Sequence, residues 1–553
     1  MIRFKNFGVF HFVGCMAMFL LVLSSSWADS IATSVPRPKP FELWPATNDA
    51  APTTFTKAAP EFQTKGKPWK FPHGAKVQVK IDASQVLHNV TPYEFGNNAA
   101  WWDHKDWFMD PDRIDKAKEA GIRFWRWPGG SSSDNYFWDG NYQGHTKDSS
   151  GSDTTTMTQP WAVSTDDFIS FCRQTGSEAI FTVNYAAARY ANVQEAADLA
   201  ARWVKHCNID MKFKVRYWEI GNEVYGPWEE GNKMTGKPQL TGDVYGKDLQ
   251  VIAAAMKKVD PDIYVGAVAV DTDDGGDWTG FHWWMRDLLP QLKGAADYLI
   301  LHQYFMWPFN GDKYTDPSND VLFGNLHKLD DAFVAEGQME DKYAPTEKGI
   351  PVALTEYNLM NANGHQDIEL INGLFTSEVL GESIKAGYVN SNYWDWKNGL
   401  DKKLGGEHGM LASDDPSTPD NTPRPSYYAF ALYNQAFGDK MVAADSSDPK
   451  VKIYASKFSG GELGLVIVNE NDKNQTLNFD FTGFAPQGKL MGWVLTGKGL
   501  NEKQVSWNGE MGPLGGGGPF PINTIPPYRA TFKANKPLQL PIQANSVTGV
   551  VLY

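Results

Sequence analysis

From Val77 onward, short apolar runs alternate with longer segments that carry one apolar face, the rhythm of strands separated by helices. The runs predict strands at Pro92–Gly96, Phe124–Trp127, Ala179–Asn184, Val215–Ile220, Tyr264–Val270, Tyr298–His302, Val352–Glu356 and Gly387–Tyr393. Several intervening helices announce their ends. Asp110-Pro111 places an N-cap before proline at the first helical position, and that helix stops at Gly121. Ser164–Gln174 ends at Gly176, Asn192 with Glu195 starts a helix running to Lys205, and Asp367–Lys385 ends at Gly387. Eight strands alternating with helices over roughly 350 residues is the count of a (β/α)8 barrel, so the expected fold class is α/β, a TIM barrel. A doubly wound sheet is the alternative, but it would carry a glycine-rich phosphate turn after its first strand. Phe95-Gly96-Asn97-Asn98 is not one.

Beyond Phe437 the pattern shifts to β-rich runs broken by Gly, Asn and Asp turns: Lys452–Phe458, Glu462–Asn469, Gln475–Phe481, Lys489–Thr496, Tyr528–Lys533 and Ser546–Tyr553. These predict a C-terminal antiparallel β-sandwich. The expected organisation is an export signal over 1–28, an extended leader over 29–75, a catalytic barrel over 76–437 and the sandwich over 438–553. A strand at about 77–81 is expected to join the sandwich. The signal rests on Arg3 and Lys5 ahead of an apolar Val9–Leu23 stretch, then Ser26-Trp27-Ala28 with small residues at the cleavage-site positions. A membrane anchor or a lipoprotein built on Cys15 fits less well, because the apolar stretch is short and runs on past Cys15. The expected location is secreted or periplasmic, with no membrane contact after cleavage.

Composition narrows the partners. A chain of 553 residues exceeds one hydrophobic core, and 42% hydrophobic with 21% charged residues is globular. A net charge of −14 without any Lys/Arg-rich run speaks against nucleic acid or an anionic membrane, and is compatible with a neutral polysaccharide. Nothing in the sequence sets the oligomeric state. Cys172 and Cys207 permit one disulfide or two buried thiols. No Cys/His cluster has zinc spacing, and no cofactor or metal is expected. Asp271-Thr272-Asp273-Asp274-Gly275-Gly276-Asp277 superficially resembles a calcium loop, but His282 stands where the bidentate glutamate belongs, so a polar rim loop is the better reading.

The chemistry concentrates in Trp218-Glu219-Ile220-Gly221-Asn222-Glu223 and Ala353-Leu354-Thr355-Glu356-Tyr357-Asn358, two strand-like runs that each deliver a carboxylate at the end. In barrels of parallel strands that end faces the active site, and two carboxylates are the minimum equipment for glycosidic cleavage. A lone strand-end Glu is more often a surface residue; the pairing reverses that reading. Arg126-Trp127-Pro128-Gly129-Gly130, His302-Gln303-Tyr304, Asn184 and Trp394 fall in register with them. Together these motifs resemble clan A of the glycoside hydrolases, the (β/α)8 group with acid/base and nucleophile on strands 4 and 7, nearest the arabinofuranosidase-containing family 51, with features of families 39, 44 and 79. Family 51 arabinofuranosidases usually carry Asp-Glu-Trp-Asn at the nucleophile, where this chain has Thr355-Glu356-Tyr357-Asn358.

The resemblance implies a retaining enzyme in which Glu356 is the nucleophile and Glu223 the acid/base, with the higher pKa on Glu223. It implies substrate contacts from Asn222, Arg126, Asn184, His302, Tyr304 and Trp394, with Arg126 and Tyr304 orienting Glu356. Arg126 and His302 have plain structural readings too, a core ion pair and a satisfied core imidazole. The expected function is a secreted hydrolase of plant or algal cell-wall polysaccharide. Endo-β-glycanase and exo-α-L-arabinofuranosidase compete within it, and a non-catalytic carbohydrate-binding protein or a transglycosylase stand as alternatives. Many of the 21 tryptophans follow strand ends, which suits sugar stacking as well as loop packing.

Overall fold

The computed structural model describes residues 55–553, apart from 235, 273–282, 312, 348 and 535. The export signal, the first part of the leader and most of the calcium-loop-like segment lie outside the described residues. No helix among the described residues is long and apolar enough to cross a membrane.

Eight parallel strands close into a barrel in sequence order: Gly96–Asn98, Phe124–Trp127, Glu178–Val183, Tyr217–Ile220, Tyr264–Val268, Tyr298–Met306, Val352–Met360 and Ser391–Tyr393. The first differs from expectation. Pro92–Glu94 forms a single 3-10 turn, closed by a capping box between Thr91 and Glu94, and the strand begins only at Gly96. Proline next to a strong cap outweighs the apolar run. The sixth and seventh strands instead outlast their predicted ends, to Met306 and Met360, because each pairs with the other beyond the apolar segment. Helix ends follow the local signals. Asp110 caps Pro111–Ala120 and Gly121 closes it in the left-handed region; Ser164 and Asp167 form a capping box on Thr165–Thr175.

The C-terminal strands form one mixed 12-stranded sheet, not an antiparallel one. Gln475–Thr482 runs parallel to Ala75–Asn89, and Lys67–Pro68 runs parallel to Tyr528–Arg529. Both parallel partners come from before the barrel, so no hairpin forces antiparallel pairing. The sheet curls over its own apolar core, in which Val79 and Ile81 meet Ile467, Leu477, Leu540 and Val550. The second half of the leader is therefore not a free linker. Trp69 donates its indole N–H to the Pro541 carbonyl at 3.0 Å, and its ring lies so close to Gly492 that a Cβ there would sit 2.8 Å away. Strands at Lys440–Ser446, Val505–Trp507 and Gln539–Ile542 also belong to the sheet and were not among the expected ones.

Two helices join sheet to barrel. Leu370–Ala386 and Pro425–Ala436 are buried nearly all round, as helices between two layers must be. Glycines permit the approach: a Cβ on Gly381 would meet the Tyr454 ring at 2.4 Å, and one on Gly373 would meet Leu495 at 3.0 Å. The strands bearing the seventh and eighth barrel motifs are thus backed by a rigid layer. Cys172 and Cys207 are buried free thiols, and burial raises both thiol pKa values.

Candidate active site

The fourth strand ends in a turn that only this sequence type tolerates. Gly221 has φ +83°, and a Cβ there would press on Val224 at 2.8 Å and Tyr185 at 3.0 Å. Glu223 itself takes φ +44°, an uncommon conformation for a residue with a side chain. The turn swings Asn222 and Glu223 over the barrel mouth. On the seventh strand the register slips between Leu354 and Glu356, an irregularity that re-aims the residues after it. Beyond the slip Glu356 pairs with His302 and Asn358 with Tyr304 on the sixth strand.

These devices make the two glutamates converge. One oxygen of Glu223, one of Glu356 and a ring nitrogen of His302 all lie within 4.8 Å of one another. His302 Nδ1 is 2.9 Å from Glu223 Oε1 and 3.7 Å from Glu356 Oε2. The Tyr304 hydroxyl donates to Glu356 Oε1. The Trp228 indole N–H donates to Glu223 Oε2 at 3.1 Å.

Arg126 organises the floor. Fully buried, it donates to Glu219 Oε2 at 2.6 Å, Asn98 Oδ1 at 3.1 Å, Glu356 Oε2 at 3.1 Å and Asn222 Oδ1 at 2.7 Å. It therefore ties the first, fourth and seventh strands together, and the structural and site readings of this residue both apply. The Pro128-Gly129-Gly130 turn that follows brings its backbone under Trp394; a Cβ on Gly130 would lie 2.7 Å from that ring. The Trp394 ring has Trp102 at 6.3 Å between ring centroids, whereas Trp396 packs on the other side against Trp125. Asn184 behaves differently. Its Oδ1 caps the Ala187 N–H at 3.0 Å, so it starts a short helix, and no hydrogen bond links it to either glutamate.

Sequence reasoning missed the supporting carboxyls. Asn222 is held by Asp134 Oδ1, which accepts its backbone N–H at 3.0 Å, and by Glu229 Oε1, which accepts its side-chain N–H at 3.2 Å. Burial pushes both acids well above the usual carboxyl range, aided at Asp134 by the charge of Glu229 and at Glu229 by the charges of Glu223 and Glu356. Glu219 was legible as a second carboxylate within the fourth-strand motif, two residues before the glycine. Asp134 lies in a 3-10 turn at Gly130–Asn135 and Glu229 in the segment after the fourth strand, neither of which carries a periodic signal.

The proton balance departs from expectation. Burial pushes the Glu356 carboxyl up; His302 and Arg126 oppose this, while the charge of Glu223 adds to it. Burial acts the same way on Glu223, but donors from His302 and Trp228 outweigh it and hold that carboxyl below its ordinary value. The two carboxyls titrate as a coupled pair, with Glu356 pushed above and Glu223 held below the ordinary value. The His-and-two-carboxylate trio has the ligand count of a metal site, but the Arg126 guanidinium already sits against Glu356, so a metal ion there would face a fixed cation.

No protein-family model matches the chain. It is 25% identical over 279 residues to an intracellular exo-alpha-(1->5)-L-arabinofuranosidase of Acetivibrio thermocellus, a match covering 47% of this chain and 51% of the relative. The chain thus spans about half the length of that curated relative. Among solved structures it superposes on the GH51 arabinofuranosidase from Xanthomonas axonopodis pv. citri with TM-score 0.64 and 15% identity, over 87% of this chain and all of the other. The chain resembles the clan A glycosidases close to family 51. A Paenibacillus polymyxa xyloglucanase from glycoside hydrolase family 44 also shares the fold, with TM-score 0.58 and 17% identity over 87% of this chain and all of the other.

Proposed function

We propose that this chain is an exported retaining glycoside hydrolase acting on plant or algal cell-wall polysaccharide or its oligosaccharides. The observation that carries the reading is the approach of Glu223 and Glu356 to within 4.8 Å across the barrel mouth. Retaining enzymes hold their carboxyls about 5–5.5 Å apart for direct attack, whereas inverting ones leave about 6.5–9.5 Å for a water. Glu356, oriented by Arg126 and Tyr304, attacks the anomeric carbon as Glu223 protonates the leaving oxygen. Water, activated by Glu223, then releases the sugar. Asn222, fixed on three sides, is placed to meet the 2-hydroxyl. A bound glycoside favours this division of labour, because its bridging oxygen accepts a hydrogen bond from protonated Glu223 and so favours the acid form there.

Glu356→Ala should abolish turnover while leaving polysaccharide binding intact; an unchanged rate refutes the mechanism. Release of terminal arabinofuranose is supported by the names of the relatives. A second reading, endo-acting cleavage of a β-glycan, is favoured by the exposed indoles of Trp107, Trp228, Trp283 and Trp307. Early loss of viscosity in a digested polymer supports the endo reading, and release of monosaccharide alone removes it.

A further inference from the structure

Asn222 is buried with both ends of its amide engaged. Its Oδ1 accepts from Arg126 at 2.7 Å, and one N–H of Nδ2 reaches Glu229 Oε1 at 3.2 Å. Nδ2 carries a second N–H, for which the described residues supply no acceptor. A donor on one side and an acceptor on the other make the two amide orientations unequal. Turned over, the amide would aim its N–H groups at a guanidinium, which accepts nothing, and its oxygen at the oxygen of Glu229. The contacts of Glu229 are one-sided. The Ser131 hydroxyl donates to the same Oε1 at 2.7 Å, while Oε2 is buried without a partner. Two donors on one oxygen and none on the other suit a neutral carboxyl, whose carbonyl oxygen accepts while its hydroxyl stands aside. Burial, with the charges of Glu223 and Glu356, pushes the carboxyl the same way.

We infer that Glu229 is a positioning residue that sets which way round the Asn222 amide stands, so that its spare N–H is presented to the 2-hydroxyl of the sugar being cleaved. The inference rests on the hydrolase reading above and deepens it. Glu229 touches no substrate; it acts through Asn222, itself anchored to Arg126. The 2-hydroxyl must then accept a hydrogen bond from Asn222, a contact of the kind that strengthens in the transition state. The substrate class is therefore a glycoside whose 2-hydroxyl is free, in preference to one that is 2-deoxy or substituted at that oxygen.

The assay compares kcat/KM on a 4-nitrophenyl glycoside (the α-L-arabinofuranoside or the β-cellobioside, whichever is cleaved) with that on its counterpart lacking the 2-hydroxyl beside the cleaved bond. Glu229→Met fills the space without an acceptor and lets the amide turn over. It should lose roughly tenfold on the parent glycoside and little on the 2-deoxy compound. Glu229→Gln keeps an oxygen for both donors and should recover most of that loss. In an Asn222→Ala background, Glu229→Met should cost nothing further. Ser131→Ala, at an exposed position, stands in should Glu229→Met not fold. It removes the other donor to the same oxygen, and its loss should again fall on the parent glycoside alone. Equal losses on the two glycosides, no loss at all, a further loss in the Asn222→Ala background, or a Glu229→Gln no better than Glu229→Met overturn the inference while the hydrolase reading stands. Unmodified protein that cleaves neither parent glycoside refutes the hydrolase reading, and the inference falls with it.

Discussion

Replacing Arg126 by methionine isolates the centre of the site. Arginine at this position makes four hydrogen bonds while fully buried, two of them to the carboxylates of Glu219 and Glu356. Methionine fills most of the volume but leaves both acids without their cation. Removing one partner of a buried ion pair typically costs about 3–5 kcal/mol, because the stranded charge cannot regain water. The penalty should depend on pH. A buried carboxylate deprived of its cation binds a proton more readily in the folded than in the unfolded chain, so the variant's stability falls as pH rises. Urea unfolding at pH 8 should show the full loss, and at pH 5 a clearly smaller one. Turnover should drop by roughly 10²–10³-fold, since Asn222 and Glu356 lose their common anchor. Equal destabilisation at the two pH values, or none, would refute the account of Arg126 as the counter-charge of the barrel mouth.

Tyr304→Phe removes a donor to ionised Glu356 and so raises that carboxyl further; the alkaline limb of the pH profile should move up and kcat/KM fall at every pH. Glu223→Ala should lose roughly 10²–10⁴-fold on sugar leaving groups but far less on activated aryl glycosides, with azide restoring turnover through a glycosyl azide. Gly221→Ala forces a side chain into a left-handed turn against Val224 and should cost about 1–3 kcal/mol in thermal or chemical unfolding, with activity falling as Glu223 shifts. Cys172 and Cys207, with thiol pKa values raised by burial, should resist alkylation in the native protein and react once it unfolds, as peptide mapping by mass spectrometry would show.

What was legible in the chain was whatever local physics fixes. The second strand, Phe124–Trp127, and the caps at Asp110, Ser164 and Gly387 are set by short-range apolar runs and terminal hydrogen bonds, and they fall where the pattern puts them. The first barrel strand was displaced because a proline-led turn consumed its apolar residues. The parallel pairing of Gln475–Thr482 with Ala75–Asn89 joins segments 400 residues apart along the chain, which no periodicity reports. In the site, the residues carried by strand-end motifs, Glu223, Glu356, Arg126, His302 and Tyr304, converge as the resemblance implies. Asn184 is assigned to substrate by the resemblance; its oxygen accepts the Ala187 N–H, while its side-chain nitrogen is buried without a protein partner. The supporting acids Asp134 and Glu229 escaped notice because a loop carboxylate in sequence looks like any solvated one. Their role comes from burial beside Asn222.

Those acids bear on how the barrel mouth carries its charge. Around the mouth, Arg126 faces Glu219, Glu356 and, at longer range, Glu223, while Asp134 and Glu229 stand behind Asn222. One guanidinium cannot offset that many carboxylates in a desolvated space, so protons must be retained. The upward push on Glu229 comes partly from the charges of Glu223 and Glu356, which couples the hidden acids to the reacting pair. When Glu356 becomes an ester in the glycosyl-enzyme, the proton has left with the departing group and the pair's single negative charge has moved to Glu223. An esterified Glu356 no longer repels that charge, while His302 and Trp228 still stabilise it. Glu223 is then ready to take a proton from the incoming water, so the charge crowding of the mouth is no greater in the second step than in the first.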